Sequence, residues 1–487
     1  MIDRRDFIKT VLAGGAAALV APGFVSADSR AYGLRRSGQE GLSDDAWARV
    51  PQILARIKPP AFAKRDFVIT RHGGVGDGAK DCTDAFHKAV SACAAAGGGT
   101  VVVPTGRFLT GAIHLKSNVN LHLEKGATVT FSRDPRKYLP LVFTRWEGME
   151  LMNYSPFIYA LEQENIAITG EGTIDGQADC DHWWPWKGRT NCGWKKGEPE
   201  QSRARALLYE MVAKGAPVRS RVFGEGSYLR PQFIQPYRCK NILIEGVTLK
   251  GSPMWQVHPV LCTNVTVRGL KIFADGPNTD GCDPESCKDV VIKDCYFSTG
   301  DDCIAIKSGR NNEGRRVPVP CENIVVQDCH MSAGHGGITV GSEISGGVRN
   351  LFGENCRMDS PNLNSSLRFK NNALRGGLLE NFYFRDIDVG QVADATITMD
   401  FNYEEGGNGP FTPILRNVLV NNLKSKKSAR ALDLQGLEKA PVSNVRLENC
   451  VFENVAEANI VKNVSSLQLL NVRINGLITE APATTRG

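Results

Sequence analysis

The chain has 487 residues, 42% hydrophobic and 23% charged, with a formal net charge of +6. These are the proportions of an ordinary folded globular protein, and they argue against a disordered chain. The mild basic excess suits an acidic partner and gives no reason to expect nucleic acid. Fourteen cysteines are present, but none form a Cys-x-x-Cys pair, which argues against a zinc site.

Residues 1–27 read as a targeting segment. Arg4-Arg5-Asp6-Phe7-Ile8-Lys9 precedes an apolar run from Thr10 to Val20, and Val25-Ser26-Ala27 offers a small-residue cleavage site. Twin arginines followed by Phe-Ile-Lys match a twin-arginine export signal, which places the mature protein in the periplasm or outside the cell. The apolar run is too short for a comfortable membrane span, so no membrane association is expected after its removal. Residues 28–65 form a polar arm, helix-like over Asp44–Ile57 and broken at Pro59-Pro60, expected to be loosely attached.

The globular part is expected over 66–480. Gly73 to Gly78 is glycine-rich but leads to no Lys-Ser/Thr, so it is a turn and not a phosphate loop. A short helix to about Ala96 follows, ended by Gly97-Gly98-Gly99, and Thr100-Val101-Val102-Val103 reads as a strand. Such a helix would cover the open end of a stacked core.

A repeat then begins. Each copy opens with Asn or Asp and continues as a short alternating strand, at Asn118, Asn165, Asn241, Asn264, Asp289, Asn323, Asn350, Asn381, Asn417 and Asn444. From Asn241 onward the spacing lies between 23 and 36 residues. Period-two alternation inside a repeat of this length means a solenoid of strands. The expected fold is all-β: a single right-handed parallel β-helix of about ten coils with an N-terminal capping helix. The recurrent Asn is structural, since it tolerates tight turns and can stack as a ladder. Cys295, Cys329, Cys356 and Cys450 recur at matching places and read as stacked buried thiols. Residues 176–236 interrupt the rhythm. This insert holds Trp183, Trp184, Trp186 and Trp194 and a helix-like stretch from about Gln201 to Ala213, and long insertions in rigid repeats tend to be functional loops.

Chemistry concentrates between Gly276 and Lys307. Asp280 sits in a turn signal, and Asp301 and Asp302 follow Gly300. Several carboxylates in one groove suit acid and base work, because burial and like charges separate their pKa values. In a strict strand Asp302 would share parity with Ile304 and Ile306 and point into the core, so a bend at Gly300–Asp302 is expected to turn both carboxylates into the groove. Arg368 and Lys370 share one face of their strand, with Leu367 and Phe369 inward, and two cations there suit a substrate carboxylate.

Asn278-Thr279-Asp280, Gly300-Asp301-Asp302, Gly334-His335-Gly336 and Arg368-Phe369-Lys370, in this order, resemble the four signature motifs of the polygalacturonases, glycoside hydrolase family 28. The resemblance covers roughly 65–475 and departs from the motif at Phe369, where the family usually carries Ile. It implies a metal-independent, inverting hydrolase without cofactor, acting on α-1,4 links of an acidic polysaccharide or oligogalacturonide. Carried onto this chain, Asp301 becomes the general acid, Asp280 and Asp302 activate the water, and His335 stands beside the acid. Asn278, Arg368, Lys370 and Tyr403 would meet substrate, Tyr403 by spacing alone. Trp183 and Trp184 of the insert would stack on sugars and wall off one end of the groove, which suits exo action by a monomer. The rivals are a rhamnogalacturonan or xylogalacturonan hydrolase of the same family, a calcium-dependent pectate lyase, and a β-helical polysaccharide-binding protein.

Overall fold

A computed structural model describes residues 44–480. The expected export signal and the first part of the arm lie outside the described residues. Strands opened by the recurrent Asn or Asp stack in parallel, one coil above the next. Ile242, Val265, Val290, Ile324, Leu351, Phe382, Val418 and Val445 are successive partners in register, all buried. Alternation thus does its expected work: one side chain in two enters a continuous core.

Two further ladders close each coil. The second runs through Thr248–Lys250, Lys271–Ala274, Tyr296–Thr299 and the start of His330–Val340. The third passes Val257, Cys282 and Ile304–Ile306, then the end of His330–Val340, Leu363–Lys370, Ala395–Asp400 and Arg430–Gln435. The molecule is a parallel β-helix, and the ten sequence copies are ten of its stacked strands.

The repeat's Asn explains the sharp corners. All ten opening residues have positive φ, between 55° and 66°. Their side chains bond along the helix axis, for example Asn241 Nδ2 to Asn165 Oδ1 at 2.9 Å and Asn350 Nδ2 to Asn323 Oδ1 at 3.1 Å. Asp289 has no amide to donate, so the ladder is interrupted below it. There Asn264 Oδ1 accepts the Lys58 backbone N–H at 2.9 Å, and Asp289 accepts from Arg56 at 2.7 Å. The four repeat cysteines are buried and unpaired, as expected.

The arm differs from expectation. Its helix forms, as a turn of 3-10 helix over Asp44–Ala48 followed by α1 (Arg49–Arg56), but it is not loose. Ala46, Val50, Ile53 and Ile57 pack on an outward apolar stripe of the first ladder: Val291, Val325, Phe352, Tyr383 and Leu419. Burying a side chain of this kind contributes roughly 1.5–3 kcal/mol. The capping helix, α2 (Thr83–Ala95), turns Ala85, Phe86, Ala89, Val90 and Cys93 onto the first coils. In the insert, α3 (Ser202–Ala213) seats Leu208 and Val212 beside Trp146, Leu151 and Trp255.

Asn350 bonds ladder neighbours on both sides at φ 58°. Asn350→Gly keeps the turn and loses the bonds, at a cost of about 1 kcal/mol. Asn350→Ala loses both, and should cost roughly 1–2 kcal/mol more. Denaturation midpoints should therefore fall in the order Asn, Gly, Ala.

Candidate active site

Asp280, Asp301 and Asp302 lie where the chain turns from the second ladder into the third. The expected bend is present, with Gly300 and Asp301 bent between Tyr296–Thr299 and Ile304–Ile306, but it opens only Asp301: Asp302 is fully buried against Lys370 and Thr339 and does not turn into the groove. One oxygen of each of the three carboxylates lies within 4.8 Å of the others. Asp301 is the most open, with 18% of its side chain exposed against 4% for Asp280 and none for Asp302.

Two glycines allow this crowding. A Cβ on Gly334, at φ +148°, would stand 2.4 Å from the Asp301 carbonyl oxygen. One on Gly336 would meet Thr339 Oγ1 at 2.3 Å and Asp302 Oδ1 at 3.1 Å. The residue between them, His335, brings Nδ1 to 2.9 Å from Asp301 Oδ1.

The carboxylates are compensated from below. Lys370 Nζ stands 2.5 Å from Asp302 Oδ2, and Thr339 donates to Asp302 Oδ1 at 3.0 Å. Lys307 Nζ lies 3.6 Å from Asp280, 3.5 Å from Asp283 and 3.3 Å from Glu343. Glu343 also holds Arg310 at 3.0 Å. These charges set the proton balance. Burial, together with the charges of Asp301 and Asp302, pushes Asp280 up to about 8 against the pull of Lys307. Burial pushes Asp301 the same way, but the His335 hydrogen bond and the nearby cations outweigh it and hold the carboxyl well below its usual range. The same hydrogen bond raises His335, more than burial lowers it.

A pocket of about 250 Å³ opens over the cluster. Asp280, Asp301, His335, Asn278, Lys370 and Tyr403 line it. Asn278 accepts from Arg230 at 2.8 Å and reaches Asp301 Oδ2 at 3.4 Å. Arg368 and Lys370 share a face, and Leu367 and Phe369 are buried, as read from the sequence. The two cations are used differently, however. Lys370 is buried and held by Asp302, while Arg368, 3.5 Å from the same carboxylate, keeps 22% exposure beside the His335 carbonyl.

Trp183 and Trp184 are a correction. They are 3% and 8% exposed. Trp183 packs against Tyr138, Phe157 and Trp186, and Trp184 Nε1 donates to the Ser252 carbonyl at 2.9 Å. Neither ring offers a face to a sugar. The insert lines the pocket instead with Lys187, Arg189 and Arg205; Trp255 borders it as well but is as buried as Trp183, with Lys307 4.3 Å from its ring centre. Sequence reasoning missed Lys187, Arg189, Arg205, Trp255, Arg310 and Glu147, none of which carries a local signal. It also gave Lys307 no role, although the Ile-Ala-Ile-Lys alternation after Asp302 marks that residue.

The three aspartates are also the one group among the described residues whose oxygens could jointly hold a metal ion. They would offer hard oxygen ligands, but Lys307 and Lys370 already stand against two of them.

The family model for Glycosyl hydrolases family 28 matches residues 224–471, which span all four motifs. The chain belongs to this family. A solved structure, the hyperthermoactive exopolygalacturonase of Thermotoga maritima, is 44% identical, with a TM-score of 0.87 over 89% of this chain and 97% of that one. The exo-poly-alpha-D-galacturonosidase of Dickeya chrysanthemi is 25% identical over 442 residues, 84% of this chain and 71% of that protein. A protein of Vitis vinifera named as a probable polygalacturonase is 29% identical over 405 residues, 80% and 74% of the two chains. The protein is therefore a glycoside hydrolase by family, on the fold its repeat implied. No helix among the described residues is long and apolar enough to cross a membrane.

Gly336→Ala tests how tightly the cluster is packed. The new methyl must displace Thr339 or Asp302. A displacement near 1 Å costs about 10²-fold in rate. Activity should fall by that order, while the thermal midpoint moves far less than for a core truncation.

Proposed function

We propose that the protein hydrolyses α-1,4 links between galacturonate units of pectic chains, releasing short products from chain ends by single displacement with inversion. The observation that carries this is the convergence of Asp280, Asp301 and His335 in a pocket walled on one side by the insert's cations. A uronate substrate brings a negative charge on every sugar, and Arg368 and the basic wall answer it. An insert that closed one end of the groove would suit attack on chain ends. The 44% identical Thermotoga relative is named an exopolygalacturonase, which supports the same reading.

Asp301 serves as the acid. It is the exposed carboxyl, and His335 can return a proton to it across 2.9 Å. Asp280 serves as the base, since its Oδ1 has no hydrogen-bond partner and the residue faces the pocket. Asp302, held by Lys370 and Thr339, positions the other two and their water. The cluster is coupled. Burial is the main cause of the raised Asp280 carboxyl and the Asp301 charge the next, so a proton arriving on Asp301 lowers Asp280 and shifts it toward its base form. The carboxylates are closer than the about 6.5–9.5 Å usual between the acid and base of inverting enzymes. That geometry makes the stereochemical course a direct test.

A second reading follows from the proton balance of the pocket, where Asp280 is the protonated carboxyl and Asp301 the ionised one. By environment alone the roles would be exchanged. Leaving-group dependence separates them. With Asp301 as acid, Asp301→Asn should lose about 10²–10⁴-fold on oligogalacturonides and recover much of it on an aryl galacturonide with a good leaving group. Asp280→Asn should be slow on both. The opposite pattern would exchange the assignments. Proton NMR of the first product anomer should show inversion, and retention would overturn single displacement. Activity should survive EDTA, and an unsaturated ultraviolet-absorbing product would mean a lyase.

The pH profile has a sign. Below its raised pKa, His335 carries the proton it lends to Asp301, so the alkaline limb of kcat/KM should lie above the 6.5 of an ordinary histidine. In His335→Gln that store is gone, and the limb should move acidward by more than one unit. The twin-arginine segment completes the proposal: an enzyme exported to meet its polymer, in the periplasm or outside the cell, working as a monomer.

A further inference from the structure

We infer that the loop closed by Cys180 and Cys192 carries a carboxylate subsite, built on Lys187 and Arg189, for the galacturonate unit on the insert side of the scissile bond. The inference rests on the proposed galacturonide reading and adds to it the residues that hold the chain end.

The loop is fixed to the catalytic turn. Trp184 is wedged against Gly276, where a Cβ would stand 2.1 Å from its ring. Gly276 opens the turn that carries Asn278 and Asp280. Trp183 lies in the core, the Trp186 carbonyl accepts the Gln201 N–H at 2.8 Å, and the disulfide ties the segment's two ends. Lys187 and Arg189 thus leave a backbone held on three sides. The tryptophans anchor the loop, and the cations beside them face the pocket.

Neither cation is spent within the protein. Among the described residues, Lys187 and Arg189 form no ion pair and no side-chain hydrogen bond, whereas the other basic lining residues are engaged. Arg205 donates to Glu147 at 2.7 Å, Arg310 holds Glu343 and Glu404, and Lys370 holds Asp302. Lys187 is half-buried, and the acid whose charge pulls on it, Glu147, is already bonded by Arg205 and Tyr209. An unmatched cation among guanidinium groups is costly, and an incoming carboxylate would relieve it. Burial, with Arg230, Arg205 and Arg189 around it, pushes Lys187 down to about 8 against the pull of Glu147. A bound carboxylate would restore the proton.

Binding is measured by calorimetry on full-length Asp301→Asn protein, with trigalacturonate and with the same sugar methyl-esterified on its terminal unit. Lys187→Met or Arg189→Gln should weaken trigalacturonate about 10–100-fold and leave the ester unchanged, as expected for loss of a charge-assisted contact. Near pH 8, trigalacturonate should bind with proton uptake, and Lys187→Met should abolish that uptake. In the active enzyme either substitution should raise KM with kcat nearly constant. Lys196→Met, an exposed change in the same insert, should alter none of these. Arg189 is exposed, so its variant keeps the test open if Lys187→Met folds poorly. Equal weakening of sugar and ester, or no change in either, would overturn the subsite. Failure of the parent to bind any galacturonide would instead bring down the functional reading, and the subsite with it.

Discussion

Three aspartates with oxygens within 4.8 Å of one another are the constraint on which the rest of the site depends. Like charges at that range, largely out of water, cannot all remain ionised without compensation. The protein answers with Lys370 on Asp302, Lys307 between Asp280, Asp283 and Glu343, and His335 on Asp301. Removing one partner of a buried ion pair typically costs about 3–5 kcal/mol. The network therefore needs a frame that keeps every member in register, and it makes proton positions on neighbouring carboxyls interdependent.

The β-helix supplies that frame by stacking. The motif residues from four consecutive coils meet because equivalent positions superpose: Cys282 pairs Ile304, Ile304 pairs Ile338, and Ile338 pairs Leu367. The Asn ladder fixes each corner at positive φ and links it to the next. Asp289 breaks that ladder at the start of the coil that carries Asp301 and Asp302, and α1 docks at the break through Arg56 and the Lys58 backbone. The same substitution that removes an amide donor creates a charged seat for the helix. An arm expected to be loosely attached thus covers an apolar outer stripe of the first ladder.

What was legible in the sequence follows from the range of the interactions. The alternating strands, the Asn corners, the capping helix and the bend at Gly300–Asp302 are local or periodic, so they could be read directly. Motif order gave Asp280, Asp301, Asp302, His335, Arg368 and Lys370, and the structure brings them together. It also separates their roles. The shared face of Arg368 and Lys370 was readable, but the burial of Lys370 against Asp302 needs the neighbouring coil. Trp183 and Trp184 were misread for the same reason. A tryptophan pair in a long loop carries no local mark telling a sugar platform from an anchor, and the choice is made by Phe157, Tyr138 and Gly276, from other coils.

The insert shows how a groove enzyme could be altered without touching its catalytic residues. A β-helix groove is open at both ends, so closing one end requires a loop that is stiff and polar at its tip. Stiffness comes from burying large rings where the coil is already rigid, and the buried pair Trp183 and Trp184 does this beside the turn that carries Asp280. Polarity must then come from the residues immediately following, because the rings themselves are consumed. Lys187 and Arg189 stand there. A cationic wall would also discriminate by charge in a way an aromatic wall would not. Stacking accepts any pyranose face, whereas an unpaired ammonium favours a unit with a free carboxylate over a neutral or esterified one.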